Sequence, residues 1–560
     1  MTIRTFADIR VLIETGDLSD AEQTLIRNCK SGEETILGDG ERPSGPSLDR
    51  TIRADLLRYL ILGGCNRCQI HELGVRLAGA WISGRLDLSF AAAKGATGFI
   101  NCGFEQKIEA LQTRFEALNL TGSVLPGLNA QGIRATGDVF LRGVNSKGEV
   151  SLSGADIGGE LGCQGAELDG AGEYALLVQG VRVTGDVFLR RLKSTGEVHL
   201  SGAAVGGQLD CEGAQLDGIG GGALNAQGIQ VKQGVFIPGV KSKGEVRLAG
   251  AEIGGQLDCE GAQLDGIDGD ALNAQGVRLT GNAKLERLRS TGEVSLSGAE
   301  IGGQLDCQGA ELDGGSGMAL NAQGLRVIDS VFLRRLKSTG EVSLSGAEVG
   351  GQLNCRDAEL DGGDGVALNA QRLVVKKSFF WRRVKSVKGV VDLTAAHLSD
   401  LVDDADSWDK VPGLLLSGLT YANLAGPLDV EMRKAWLKKG AKSNGNFHPQ
   451  PYQHLAKFFR ETGHRREARD ILIEKEIQQR RAARERWSDE RYFRSELRQF
   501  VHNESDGAAK KVAARAAKAL ELSETWVELF GQRFRNTEFA KSRDPMVAQF
   551  LQQDFRNQLL

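Results

Sequence analysis

One feature constrains this chain before any other: it copies itself every 48 residues. Phe140, Phe188, Phe236, Lys284, Phe332 and Phe380 fall on that step, and so do Cys163, Cys211, Cys259, Cys307 and Cys355. Six copies in fixed register cannot be six separate domains. Each copy buries its apolar face only against its neighbours, which is the logic of a solenoid.

A finer rhythm runs inside each copy. In one of them the apolar pairs are Val235/Ile237, Val240/Ser242, Val246/Leu248, Ala251/Ile253, Leu257/Cys259, Ala262/Leu264, Leu272/Ala274 and Val277/Leu279. Their first members are 5, 6, 5, 6, 5, 10 and 5 residues apart, and 6 more reach Ala283 in the next copy. The outer residues of a triplet point one way and its middle residue the other, as in a strand. A strand with two inward residues and a glycine corner is one side of a polygon. Eight sides per copy predict two four-sided turns, of 22 and 26 residues, with the extra residues forming an excursion such as DGIGGGA or DGIDGDA.

These A-x-L-type units resemble the pentapeptide-repeat family, over roughly residues 75–424. The resemblance implies a right-handed, four-sided parallel β-helix, although here a residue is added at alternate sides. The layout is also similar to bacterial proteins labelled membrane-associated oxidoreductases. The expected fold is therefore mainly β: an α-helical cap over 1–72, a β-solenoid over 73–425 and an α-helical domain over 426–560. Turns stacked at about 4.8 Å make 14 or 15 coils into a rod of roughly 70 Å.

Composition agrees. Glycine is abundant (74) without the strict period of collagen, and 41% hydrophobic content is too high for disorder. No apolar run is long enough for a transmembrane helix. The opening MTIRTFADIRVLIETGD has acids in its apolar stretch, unlike a secretion signal, so a cytoplasmic protein is expected. Charge is balanced along the chain: 9 basic and 12 acidic residues over 1–72, 32 and 38 over 73–400, and 28 and 23 over 401–560. A dedicated nucleic-acid binder would show a sustained basic excess.

Stacking turns sequence offsets into neighbours. A basic column runs through Arg190-Arg191, Arg334-Arg335 and Arg382-Arg383, and its members should meet acids 22 residues on: Arg190 with Glu212, Lys243 with Asp265, Arg289 with Glu311, Arg335 with Asp357 and Lys337 with Glu359. The expected result is a neutralised charge ladder. The middle residue of the VFL triplets should face outward, yet it is Phe140, Phe188, Phe236, Phe332 and Phe380. A column of rings on a rod either lies flat across neighbouring turns or marks a docking surface. With the flanking arginines it forms the predicted site for an unknown protein partner. The glutamines 131, 179, 227, 275, 323 and 371 are expected to form an amide ladder.

No catalytic or cofactor constellation emerges. No G-x-G-x-x-G follows a strand, and there is neither a zinc-protease motif nor a nucleophile elbow. We expect no enzyme activity, no cofactor and no metal. Cys65, Cys68 and His71 have zinc-like spacing but no evident fourth ligand, unless the fold brings Cys29 or Cys102 near. Asp265, Asp268 and Asp270 would suit calcium in one copy only. The repeat cysteines are two turns apart, too far for disulfides, and read as buried free thiols.

The ends read as helical. Residues 49–62 make an amphipathic helix entering the first coil. Residues 451–468 resemble one tetratricopeptide-like hairpin. A long helix follows with Arg480, Arg481, Arg484 and Arg486, and another spans 508–530 with Trp526, Leu529 and Phe530. These C-terminal helices could mediate a homo-oligomer or, through their arginines, touch anionic membrane or nucleic acid. The function expected is a non-enzymatic scaffold for protein–protein interaction. The alternatives are a DNA-mimic modulator of a nucleic-acid enzyme, as the family resemblance allows, and a peripheral membrane protein.

Overall fold

The computed structural model describes residues 3, 5–64, 69–440, 442–443 and 446–502, with the side chains of 220, 268, 442–443, 446 and 484–502 excepted. The chain forms two compact units, Met1–Ala441 and Lys442–Leu560.

The first unit is a parallel β-solenoid of about 15 turns. Its strands belong to two sheets that share every turn. In an early turn four two-residue strands make the four sides: Arg134–Ala135, Val139–Phe140, Asn145–Ser146 and Val150–Ser151. Register follows the expected alternation, with Phe140 opposite Gly162 and Gly162 opposite Phe188. Inward positions are filled by Leu, Ile, Val, Ala and Cys at or near zero exposure. Along the regular copies the four-sided tube takes these small and aliphatic groups without voids, while larger rings (Phe99, Phe104, Phe115, Phe379, Trp381) are buried only in its first and last turns. Corners close as four-residue turns. At one of them Ala214 N–H donates to Cys211 O (3.0 Å), with Gly213 third in the turn at φ +64°. A third residue with positive φ is what a type II turn requires, so glycine recurs there.

The excursions differ from expectation. They are not loops between two strands but bulges within continuous 11-residue strands: Glu167–Leu177, Gln215–Asn225, Gln263–Asn273, Glu311–Asn321 and Glu359–Asn369. Each pairs with a seven-residue strand such as Lys193–His199, with a register shift at the bulge. The cause is a glycine at the fold-back point. A Cβ on Gly218 would sit 2.0 Å from Gly222 O, and one on Gly314 2.1 Å from Met318 O. The glutamine ladder is also corrected. Gly180 N–H bonds Ser201 O and Gly202 N–H bonds Gln227 O, so one rung, a serine or in one case Ala249, separates successive glutamines. They are two turns apart, about 10 Å.

Helices close both ends of the solenoid unit. Helix α1 (Phe6–Thr15) and α2 (Asp20–Ser31) each begin with a capping box, at Thr5/Asp8 and Ser19/Glu22. Helix α3 (Ala54–Ile61) continues from the strand Thr51–Arg53 and buries Leu56, Leu57, Leu60 and Ile61. Its Arg58 donates to Asp87 O (2.7 Å), and Ile61 O accepts from Lys94 N–H (2.9 Å), tying it to the first turns. Glu22, 2% exposed, accepts from the Arg53 guanidinium (2.7 Å).

At the other end, α4 (Ala405–Asp409) and α5 (Val430–Gly440) place Trp408 and Trp436 beside Trp381. Trp381 stacks on Trp408 (5.3 Å), which meets Trp436 (5.8 Å). Between them Arg433 and Asp403 form a fully buried ion pair (2.6 Å), and Asp403 also accepts from Trp408 Nε1 (2.7 Å).

In the second unit, the antiparallel pair Lys442–Ser443/Asn446–Phe447 precedes α6 (Gln450–Glu461) and α7 (Arg465–His502). Tyr452, Leu455, Ala456 and Phe459 of α6 are buried, as are Ala468 and Ile471 of α7. The hairpin and the long helix read separately in the sequence are thus one pair, whose second helix runs on. The span 508–530 lies outside the described residues. None of the seven helices among the described residues is long and apolar enough to cross a membrane.

Candidate functional site

The phenylalanine column lies on one side of the tube. Phe140, Phe188, Phe236, Phe332 and Phe380 share it with the intervening rungs Gly162, Asp210, Asp258, Lys284, Asp306 and Asn354. The rings are half-buried rather than fully exposed. Two lean over glycines: a Cβ on Gly162 would lie 3.0 Å from the Phe140 ring, and one on Gly234 2.7 Å from the Phe236 ring. Guanidinium groups cover four of the five. Arg142 sits 3.9 Å from the Phe140 centroid, Arg190 5.2 Å from Phe188, Arg334 5.4 Å from Phe332 and Arg356 4.5 Å from Phe380. Such cation–π contacts contribute about 0.5–1 kcal/mol at exposed sites. Phe236 is the exception, because Pro238 stands where the others carry arginine two residues on.

The arginines divide into two rows. Arg190 and Arg334 belong to the ring-covering row. Arg191, Arg335 and Arg383 stand one residue further on, at the corner, with Arg287 in the same row. These four have left-handed backbones, φ +54° to +56°, where Gly143 and Gly239 take the same place in other copies. An arginine there costs about 1–2 kcal/mol relative to a relaxed backbone. Asp357, Arg372 and Ala395 hold the same backbone at other corners, so the turn imposes the strain and the arginines are distinguished by their charge.

Charge pairing is real but incomplete. Arg190 meets Asp210 (2.5 Å) more closely than Glu212 (3.9 Å). Several lysines reach back 26 residues instead of forward 22: Lys193 to Glu167 (2.8 Å), Lys337 to Glu311 (3.1 Å) and Lys385 to Glu359 (2.9 Å). Hydrogen bonding from Lys337 lowers the Glu311 carboxyl below its usual range, and Arg383 does the same to Asp357. Arg383 is thereby neutralised (2.6 Å), and Arg287 pairs with Glu260. Among the described residues Arg191, Arg334, Arg335 and Arg382 have no carboxylate within 4.0 Å.

Between Arg191 and Arg287 the ridge is interrupted. Pro238 and Gly239 replace both arginines, and a cleft of about 590 Å³ opens there, bordered by Glu212, Glu260 and Arg287. A longer groove of about 1150 Å³ runs along another side. Some of its charges pair, since Arg278 bridges Glu252 (3.5 Å) and Glu300 (3.7 Å) and Arg326 reaches Glu300 (3.9 Å), while Arg182 and Lys232 in its lining have no carboxylate within 4.0 Å among the described residues. What sets the ridge apart is that its cations stand beside aromatic rings.

The remaining candidates resolve simply. The five repeat cysteines, Cys29 and Cys102 are buried free thiols. Cys65 and Cys68 lie outside the described residues, and His71 N–H donates to Cys29 O (2.9 Å). Among the described residues no group of three His, Cys, Asp or Glu side chains is placed to hold a metal. Sequence reasoning passed over Arg142, although it follows Phe140 by the same two residues as Arg190 follows Phe188. It also passed over Arg356, which reaches its ring from the preceding turn. The left-handed corners carried no sequence signal beyond arginine standing in a column otherwise held by glycine.

Fold and surface together define a parallel β-solenoid repeat protein with helical ends. Comparison with protein-family models, curated proteins and solved structures returns no match.

Proposed function

We propose that this chain is a non-enzymatic, pentapeptide-repeat-like scaffold whose ridge docks an acidic surface of a protein partner. The ridge comprises Phe140, Phe188, Phe236, Phe332 and Phe380 with Arg190, Arg191, Arg334, Arg335, Arg382 and Arg383. The observation that carries the reading is the corner row: arginines held in left-handed backbones, two of them without a carboxylate partner. Such residues cost stability within the fold, and aromatic and arginine side chains are those enriched at interface centres. Seven buried free cysteines support a reducing compartment, and we place the protein in the cytoplasm.

The test combines Arg191→Gly, Arg335→Gly and Arg383→Gly. Glycine already stands at 143 and 239, so the variant keeps the fold. Affinity capture from lysate with the intact chain should return a partner set that this variant loses. A folded variant that keeps the whole set ends the ridge reading. Phe188→Ser, Phe236→Ser and Phe332→Ser together provide an independent variant of the same face.

A further inference from the structure

Away from the ridge, on the side formed by the distal ends of the long strands, three departures from the repeat meet at one point. His199 stands where other copies carry Ser151, Arg247, Ser295 and Ser343. Tyr174 occupies a rung column otherwise held by Gly222, Asp270, Met318 and Val366. Gly222 itself leaves room that a side chain would fill: a Cβ there would lie 2.5 Å from Glu197 Oε2.

These departures build one constellation. Ser201 Oγ lies 2.6 Å from His199 Nε2, and His199 Nδ1 lies 2.9 Å from Glu197 Oε1. The second is a close contact outside hydrogen-bond alignment, and both of its atoms are shielded from solvent. The Tyr174 ring meets the imidazole edge-on at 5.5 Å and 78°, fixing its plane. Ser201 is half-buried beside exposed Gly202 at the corner. A half-buried carboxylate whose nearer oxygen is shielded beside Nδ1 favours the tautomer with its proton there, which leaves Nε2 free to accept from Ser201.

We propose that Ser201 is a nucleophilic serine, activated by His199, that takes an acyl group from an activated carboxylic ester or thioester. Ser201 Oγ adds to the carbonyl carbon as its proton passes to His199 Nε2. The bond from that carbon to the leaving oxygen or sulfur then breaks, and the leaving group departs with the bonding pair and collects the proton. The product is an ester on Ser201, a modification of the scaffold rather than a turnover cycle. His199 acts as the general base, and Glu197 positions it.

The molecule carries its own controls. Ser297 and Ser345 occupy the position of Ser201 in other copies, but with Ser295 and Ser343 in place of the histidine. The full chain is treated with a fluorophosphonate probe, in which serine oxygen displaces fluoride to give a stable adduct, and occupancy is read at each serine by mass spectrometry. Ser201 should label at least tenfold faster than Ser297 and Ser345, a threshold below the roughly 10²–10⁴-fold that general-base assistance supplies. The excess should vanish in His199→Ser, which restores the residue found at 151, 295 and 343 and so preserves folding. Ser201→Ala, matching Ala249, marks the background. A smaller excess, or one that survives in His199→Ser, overturns the proposal.

Discussion

Arg335 is third in a corner turn closed by Leu336 N–H to Leu333 O (3.2 Å), and Arg191 is third in another closed by Leu192 N–H to Leu189 O (3.0 Å). Glycine meets that backbone without a Cβ penalty but gives up more unfolded-state entropy, so the two effects partly cancel. Arg335→Gly is therefore expected to raise stability by about 0.5–1 kcal/mol, read as a shifted denaturation midpoint. A fall would mean that the guanidinium holds the fold together. The thiols make a second prediction at this scale. Burial pushes Cys163 and Cys355 up from an ordinary 9.0 to about 12. Unfolded thiols lose their protons near 9 while native ones keep them, so between pH 9 and about 12 the unfolded state binds fewer protons. The stability these thiols contribute is complete below pH 9 and is lost as pH rises toward 12. In native protein at pH 8, an aromatic disulfide reagent should reach at most two of the nine thiols, Cys65 and Cys68; reaction of a repeat cysteine would contradict the burial. Both residue types were visible in the sequence, but unequally. Cysteine burial followed from period alone, because an inward column admits only small apolar groups. The arginine conformation did not, because nothing in a side chain's identity reports the sign of its φ.

Elements at the two ends hold the solenoid closed by different means. The N-terminal end is sealed mainly by the apolar side of α3. The C-terminal end combines stacked indoles with the Arg433–Asp403 pair, neither partner of which has any exposed surface. Removing one member of such a pair strands a buried charge. Asp403→Ala is expected to cost about 3–5 kcal/mol and to loosen α5, seen as tryptophan emission shifting to the red at lower denaturant. A loss below about 1 kcal/mol would show that water reaches Arg433. Sequence periodicity located the strands to within a residue because alternation has a period of two and the corners are marked by glycine. It failed at the excursions, where a glycine at the fold-back point lets the strand bulge and continue. It missed Glu197, His199 and Ser201 as a group, since a solenoid strand was read for its inward residues. The available signal was a histidine in a column otherwise held by three serines and Arg247.

For the solenoid unit as a whole, each turn packs mainly against the turns on either side, so stability should be close to a sum of nearest-neighbour terms. That additivity can be cut at the period. Deleting residues 261–308 removes one complete copy and joins LDCE to GAELDG. Lys243, which now pairs in register with Asp265, would then pair with Asp313, and every inward column would continue. This variant should fold with native-like β circular dichroism, and its denaturant slope should fall in proportion to the surface removed. Deleting residues 285–308 removes only half the period: one 22-residue turn and two residues more. The joined turn is then two residues short and loses inward Leu285. The bulged strand Gln263–Asn273 comes to lie directly on Glu311–Asn321, with Asp265 beside Asp313 instead of the intervening Thr291. A lost core leucine and adjacent like charges should cost about 3 kcal/mol or more and broaden the unfolding transition. If the shorter deletion were tolerated as well as the longer, the 22/26 alternation would be dispensable. The tube would then be held by its apolar interior alone, without help from the ladder of charges along its sides.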